Sequence, residues 1–186
     1  MPESLMNVSP NLKQTHLDLA YPPTAHGSRA WYALHVRSKH EFAVAKRLSA
    51  TGIEHYLPVY RSLRQWTDRQ VLRDEPLFSG YVFVQIVWTE KLRVVALPGV
   101  LSLLGTADSK VDAETIESIR RAIELNIVEP CQNPEVGDRV KVLAGPFKGV
   151  QGTLVRRDGA ARLVIYLKGI TQPIALHANL EDVQKL

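Results

Sequence analysis

The order of hydrophobic and polar residues beyond position 29 predicts short strands interrupted by helices. Residues 30–36 are rich in aromatic and apolar side chains, which favour a half-buried strand. In the next segment, 41–50, apolar residues recur at helical spacing, and Gly52 then supplies a stop signal. The same reasoning predicts further strands at 53–60, 78–87 and 100–104, a short helix at 89–96, and a helix that begins after Asp112.

Two segments of this first region differ from their surroundings. Residues 61–75 are polar and basic, which predicts a long hairpin or a mobile loop. Its arginines flank the run QWTD and are Arg61, Arg64, Arg69 and Arg73. The helix after Asp112 carries Ile116, Ile119 and Ile123 on one face, and Asp112 is a suitable N-cap.

Beyond position 135 the chain changes to short alternating strands separated by glycines. About 50 residues of this kind are typical of a small β-barrel, whose closure removes exposed strand edges. Pro130 and Pro134 bracket a segment that we expect to be a stiffened, unpacked linker, so that the two domains move semi-independently. The predicted organisation is a flexible leader at 1–28, a first domain at 29–126, a linker at 127–135 and a barrel domain at 136–186.

The composition is that of a folded chain in a reducing compartment. With 45% hydrophobic and 23% charged residues over 186 positions, the chain can bury a core, which excludes wholesale disorder. Its one cysteine, Cys131, forms no internal disulfide, and neither a membrane-spanning run nor a secretory signal is recognised. We expect a soluble, cytoplasmic monomer without membrane contact. The net charge of +4 is compatible with a nucleic-acid partner but does not require one.

The sequence contains no recognisable pattern of catalytic or metal-binding residues. Its six histidines form no HExxH pair and have no cysteine at ligand spacing. The motifs GxSxG, GxxxxGK[ST] and GxGxxG are missing from the sequence, and the carboxylates are scattered. We therefore expect no enzymatic activity, no metal and no cofactor.

The most specific motif lies at 136–155, with the sequence VGDRVKVLAGPFKGVQGTLV. A glycine–aspartate turn leads into a strand in which Val140 and Val142 alternate with basic residues. A glycine–proline pair then fixes a bend, and Gly152 allows a close backbone approach. The alternative is an ordinary hairpin with common turn residues. The complete spacing resembles the KOW motif, which belongs to SH3-like β-barrels of ribosomal proteins and transcription elongation factors.

Three segments of the first domain resemble the N-terminal domain of the NusG family, namely 31–37 (WYALHVR), 75–84 (EPLFSGYVFV) and 97–100 (LPGV). The resemblance extends over about 30–186 and implies an α+β fold. That fold is an antiparallel sheet with flanking helices, followed by a small SH3-like KOW barrel. It also implies binding to the clamp helices of the largest catalytic subunit of RNA polymerase. The second segment looks closer to specialised paralogues, such as RfaH and the UpxY-type antiterminators of polysaccharide operons, although Ser79 stands where the family usually has proline.

The resemblance implies that the strand within 78–87 carries residues that bind polymerase. Alternation places Tyr81 and Phe83 on one face of the sheet and Val82 and Val84 on the other. Tyr81 and Phe83 are therefore either core residues or the lining of an apolar hollow for a partner helix. The resemblance favours the hollow and assigns polymerase binding to Phe78, Tyr81 and Phe83.

Arg37, Lys39 and His40 lie where the first strand gives way to the first helix. Positive side chains beside free helix N–H groups suit phosphate, and a solvated charge cluster is the alternative. RfaH contacts the non-template DNA strand at the corresponding corner, but Ser38 stands where that protein has a basic residue. The resemblance therefore implies DNA contact here and leaves sequence-specific reading open.

The C-terminal domain has its own candidate partner surface. Aligning Pro173 with the family's equivalent proline puts Leu167 and Lys168 at the loop tip that meets ribosomal protein S10 or the termination factor Rho in NusG. Lys168 stands where the family often has phenylalanine, so an aromatic anchor is missing. We expect Phe147, Leu167 and Ile170 to form a smaller apolar patch, with core residues or a solvated loop as the alternative. The expected result is weak binding to S10 and no binding to Rho.

These features favour a transcription elongation and antitermination factor that suppresses pausing or termination. The resemblance to specialised paralogues favours a role at specific operons over a general one. The alternative is a ribosome-associated or RNA-binding KOW protein, since KOW barrels also occur there and the chain is basic.

Overall fold

The computed structural model describes residues 27–65, 69–105, 110–131, 137–157, 160–167 and 170–186. The predicted leader therefore lies outside the described residues, except for its last two positions. The elements of the first region are β1 (Ala30–Val36), α1 (Glu41–Ala50), β2 (Glu54–Tyr56), β3 (Val59–Gln65), β4 (Gln70–Pro76), β5 (Tyr81–Ile86), a 3-10 turn (Trp88–Glu90), α2 (Lys91–Val95), β6 (Val100–Leu103) and α3 (Ala113–Glu124).

Four of these strands form an antiparallel sheet in the order β2–β5–β1–β6. β1 and α1 begin and end at the predicted residues, because their patterns are local and both are bounded by strong turn signals. The prediction of one continuous strand at 53–60 is wrong, because two strands, β2 and β3, share this segment. The pairing of β2 with β5 in the main sheet ends at Tyr56, and Val59 already belongs to the next strand, β3.

The two faces of this sheet carry two separate hydrophobic clusters. Val82 and Val84 pack in one cluster with residues of α1 and α2. Phe83 points to the opposite face and shares a cluster with Ile116 and Ile119 of α3. The predicted alternation along β5 is therefore confirmed, as is the mixed fold with a helix-flanked antiparallel sheet.

One carboxylate is buried where α1 begins. Glu41 is 2% exposed, and its Oε1 accepts a hydrogen bond of 2.7 Å from the backbone N–H of Gly80. Gly80 has a φ of 81° and precedes β5, and its carbonyl accepts a bond of 2.8 Å from the N–H of Val36. Glu41 therefore fastens the first turn of α1 to the turn that positions β5.

Replacing Glu41 by alanine is expected to lower the free energy of unfolding by about 1–3 kcal/mol, because the buried N–H of Gly80 loses its acceptor. Glu41→Gln keeps an oxygen acceptor, and we expect a smaller loss. Urea denaturation of both variants measures the difference. Equal losses in the two variants would show that the hydrogen bond is not what stabilises this turn.

The basic segment at 61–75 forms the hairpin that was one of its two predicted states. β3 and β4 pair antiparallel as a two-stranded sheet of their own, with Leu63 opposite Leu72 and Gln65 opposite Gln70. Residues 66–68 lie outside the described residues. The hairpin is thus a ribbon whose strand pairing is separate from that of the main sheet.

The C-terminal part of the chain forms a six-stranded antiparallel sheet, called here the C-terminal sheet. Its strands are β7 (Val128–Pro130), β8 (Asp138–Val142), β9 (Gln151–Arg157), β10 (Ala160–Ile165), β11 (Ile174–His177) and β12 (Val183–Lys185), in the order β12–β8–β9–β10–β11–β7. A Cβ atom at Gly152 would lie 2.7 Å from the carbonyl oxygen of Val164, which confirms the predicted close approach. The region is therefore rich in β-structure, as the KOW motif predicts.

The helix α3 runs almost directly into this sheet. Asn126 has a φ of 52°, and the N–H of Ile127 donates to the carbonyl of Ala122 at 3.0 Å, which closes α3 with a Schellman motif. The carbonyl of Ile127 then accepts a bond of 2.8 Å from the N–H of His177 in β11. The helix end is therefore hydrogen-bonded to the C-terminal sheet.

Residues 128–130, predicted as linker, form β7, the sixth strand. β7 pairs with β11, and Glu129 makes an ion pair of 2.8 Å with Arg162 of β10. Pro130 is tolerated because β7 is an edge strand, where one side of the backbone needs no donor. The expectation of an unpacked connection is wrong for these three residues. Residues 132–136 lie outside the described residues, and the domain boundary itself stays a prediction.

Candidate functional site

The three aromatic residues predicted to bind polymerase are buried together. Phe83 is fully buried, its ring stacked on Tyr56 at 6.5 Å between centroids and in edge contact with Phe78 at 5.9 Å. Tyr81 is 7% exposed, and its ring lies 5.5 Å from that of His35. The structure brings the three residues onto one face, as expected, but that face is covered rather than open.

The C-terminal sheet contributes to this cover. The hydroxyl groups of Tyr81 and Thr171 lie 2.7 Å apart, at hydrogen-bond distance. Thr171 belongs to the segment between β10 and β11, and the hydrophobic cluster around Phe83 continues into the C-terminal sheet. A direct polar contact therefore joins the two parts of the chain at the predicted polymerase face.

The candidate partner residues of the C-terminal sheet are also buried. Phe147, Leu167 and Ile170 lie in the same hydrophobic cluster as Tyr81, so the expectation of an exposed apolar patch is wrong. Lys168 lies outside the described residues. The segment predicted to bind a partner is thus the segment that reaches Tyr81.

Tyr56 is a member of this face that the sequence analysis did not identify. The guanidinium of Arg120 in α3 lies over its ring, 5.0 Å from the centroid. Burial raises the pKa of the Tyr56 hydroxyl above its usual value, and the charge of Arg120 acts in the opposite direction. The signal in the sequence was an aromatic residue in a short strand beside β5, which is too common a feature to identify a site.

The basic residues predicted to contact DNA form an exposed corner between β1 and α1. Arg37, Lys39 and His40 are all exposed, and Lys39 has a φ of 64°. The N–H of Arg37 donates to the carbonyl of Gly99 at 2.9 Å, which holds the corner against the turn before β6. Glu41, the next residue, directs its carboxylate to the backbone N–H of Gly80 and not to the basic side chains of this corner.

Two other kinds of site were searched for in the part of the chain that the structure describes. Among these residues no group of three or more histidine, cysteine, aspartate or glutamate side chains is placed to hold a metal ion. No helix among them is both long enough and apolar enough to span a membrane.

Comparison with known families supports the two-part organisation. Residues 29–120 match the family model described as transcription termination factor NusG. Residues 136–165 match the model of the KOW motif. The two matches fall on the first region and on the C-terminal sheet, in the predicted order.

Individual relatives span both regions. The transcription termination/antitermination proteins NusG of Staphylococcus aureus and Staphylococcus epidermidis are each 26% identical over 177 residues, covering 86% of this chain and 97% of the relative. A solved structure that concerns the domain interaction in Thermotoga maritima NusG is 25% identical. It covers 86% of this chain and 98% of its own, with a TM-score of 0.51.

Proposed function

Because the chain belongs to the NusG family, we propose that it is a transcription elongation and antitermination factor that binds the clamp helices of RNA polymerase. The observation that carries this proposal is the aromatic cluster of Phe78, Tyr81 and Phe83 on one sheet face. Aromatic residues supply much of the binding energy at protein interfaces. An apolar face of this kind suits an apolar stripe on a partner helix.

Binding at this face requires the C-terminal sheet to move. Tyr81 is buried and hydrogen-bonded to Thr171, so a clamp helix reaches its ring only after the segment between β10 and β11 has left. We propose that this contact is a domain interaction of the kind studied in Thermotoga maritima NusG. Only open molecules then bind polymerase. The apparent affinity is therefore the affinity of the open form multiplied by the fraction of molecules that are open.

The exposed corner of Arg37, Lys39 and His40 is proposed to contact DNA phosphates beside the bound polymerase. Its charge is solvent-accessible and lies outside the buried face, so both contacts are available to one molecule. Phosphate contacts position a protein on nucleic acid without reading its sequence. The non-template strand is the DNA that the family resemblance suggests.

The proposed action needs no catalysis. A factor that binds the active conformation of polymerase better than the paused one shifts the equilibrium by the difference in affinity. The similarity of residues 75–84 to specialised paralogues supports action at particular operons. Mapping the tagged protein on transcribed DNA tests this point, since occupancy of most operons would indicate a general role.

The C-terminal sheet is proposed to bind ribosomal protein S10 and not Rho. Lys168 replaces the phenylalanine that is frequent in the family, so the interface lacks its aromatic anchor. Leu167 and Ile170 are buried, and they meet a partner only once the contact with Tyr81 has opened.

Co-purification tests the central proposal. The tagged full-length chain is mixed with core RNA polymerase, with polymerase lacking the clamp helices, and with ribosomal subunits. We expect retention of intact polymerase and loss of retention when the clamp helices are removed. Retention of ribosomal subunits without polymerase would instead favour the RNA-binding alternative.

A further inference from the structure

Beyond its base at Val59 and Pro76, the β3–β4 ribbon presents one face to solvent. Directly opposed residues of an antiparallel pair share a face, and alternate residues along each strand lie on the same side. One face therefore carries the pairs Arg61–Asp74, Leu63–Leu72 and Gln65–Gln70. All six of these side chains are exposed, and the two leucines remain 59% and 57% exposed.

The polar and apolar groups on this face are those that read base edges in duplex DNA. Arginine pairs with guanine, glutamine with adenine, aspartate accepts from cytosine, and small apolar groups contact the thymine methyl. The major groove admits a two-stranded β-ribbon. A leucine pair flanked by arginine and glutamine is thus compatible with a groove that displays thymine methyl groups.

The charges around the ribbon favour the same partner. Arg69, just before β4, and Arg73 on the opposite face are exposed. Neither Arg61 nor Arg69 makes an ion pair with any other residue that the structure describes. By contrast, Glu75 lies near the base of the ribbon, where Tyr60 donates to its carboxylate at 3.1 Å. The guanidinium groups of Arg61 and Arg69 are therefore available to phosphates or base edges.

We propose that the β3–β4 ribbon binds double-stranded DNA in the major groove, with Arg61, Gln65 and Gln70 at the base edges and Arg69 at the backbone. This site is separate from the corner of Arg37 and Lys39 and from the polymerase face. It gives the protein a contact with duplex DNA that does not depend on polymerase.

Fluorescence anisotropy of the full-length chain with a labelled 20-base-pair duplex of mixed sequence tests the contact, with no polymerase present. Arg61→Gln with Arg69→Gln is expected to weaken binding about tenfold or more and to reduce the slope of log affinity against log salt by about one to two. The charge-matched control, Arg121→Gln with Arg139→Gln, changes exposed arginines of α3 and β8. We expect it to stay within about twofold of the wild type. Equal losses in the two pairs, or no loss in the first, would overturn the proposal.

Enrichment from a pool of random duplexes tests the reading of base edges. The wild type is expected to enrich a sequence preference, and Gln65→Ala with Gln70→Ala is expected to change that preference while leaving the salt slope intact. A bound pool identical to the input would overturn groove reading. A preference that disappears in Arg37→Gln with Lys39→Gln, but persists in the ribbon variants, would assign the contact to the corner instead.

Discussion

Replacing Phe83 by alanine is expected to lower the free energy of unfolding by about 3–5 kcal/mol, because the change leaves a cavity in the hydrophobic cluster that Phe83 shares with α3. The ring is fully buried between Tyr56 and Phe78. The side chains around the ring belong to the main sheet and to α3, and few of them can move far enough to fill the cavity. Thermal and urea unfolding of the full-length chain measure the loss.

Phe42→Ala is the matched control for this prediction. Phe42 lies on α1 and is 48% exposed, so the same chemical change is expected to cost within about 0.5 kcal/mol. Similar losses at the two positions would contradict the assignment of Phe83 to the core. They would leave Phe83 as a surface residue available to a partner without any opening.

Removing the ring of Tyr81 from an opened molecule is expected to weaken binding to the clamp helices on the order of thirtyfold, the typical effect of truncating a central aromatic anchor. Thr171→Val provides a background that favours opening, because it removes the hydroxyl that bonds to Tyr81 and leaves the first domain unchanged. Titration of a labelled clamp-helix fragment compares Thr171→Val with the double variant that also carries Tyr81→Ala.

Thr171→Val by itself is also expected to change the affinity for the clamp helices. A neutral hydrogen bond contributes about 0.5–1.5 kcal/mol, so Thr171→Val alone is expected to tighten clamp binding about two- to tenfold. Tyr81→Phe breaks the same bond from the other side and retains the ring. It is expected to match Thr171→Val, and the two changes together are expected to be non-additive. Tyr166→Phe, which alters an exposed tyrosine, is the control and should leave the affinity unchanged. Weaker binding in Tyr81→Phe would indicate that the hydroxyl itself contacts polymerase.

Composition and side-chain spacing over a short stretch of sequence predict the strands and helices whose signals lie within that stretch. The strand at Ala30–Val36 and the helix at Glu41–Ala50 depend on composition and spacing within about ten residues, and both match the structure. The division of β5 into two faces is equally local, because it follows from strand geometry alone. The sequence at 61–75 leaves two alternatives, a hairpin or a mobile loop, since a charged ribbon outside the main sheet has little hydrophobic periodicity.

Features that depend on distant partners were not predictable in this way. β7 exists because β11, more than 40 residues later, offers its edge, and two prolines nearby are typical of linkers. The hydroxyl of Tyr81 contacts that of Thr171, a residue 90 positions away. Alternation shows which face a side chain occupies but cannot show what covers that face. Tyr81 and Phe83 therefore share a face, as alternation predicts, but the face is covered, and their role in binding stays a prediction.

The strand β7 also sets how far the C-terminal sheet can travel. While β7 stays paired, only residues 125–127 separate α3 from the sheet, a span of at most about 10 Å when extended. If β7 leaves β11, the tether extends to residues 125–137 and its reach grows to about 45 Å. A short tether keeps the effective concentration of the C-terminal sheet near the first domain high. A longer tether lowers that concentration and enlarges the volume that the sheet can reach. The pairing of these three residues therefore sets the length of the tether, and with it the volume in which the C-terminal sheet can meet a second partner.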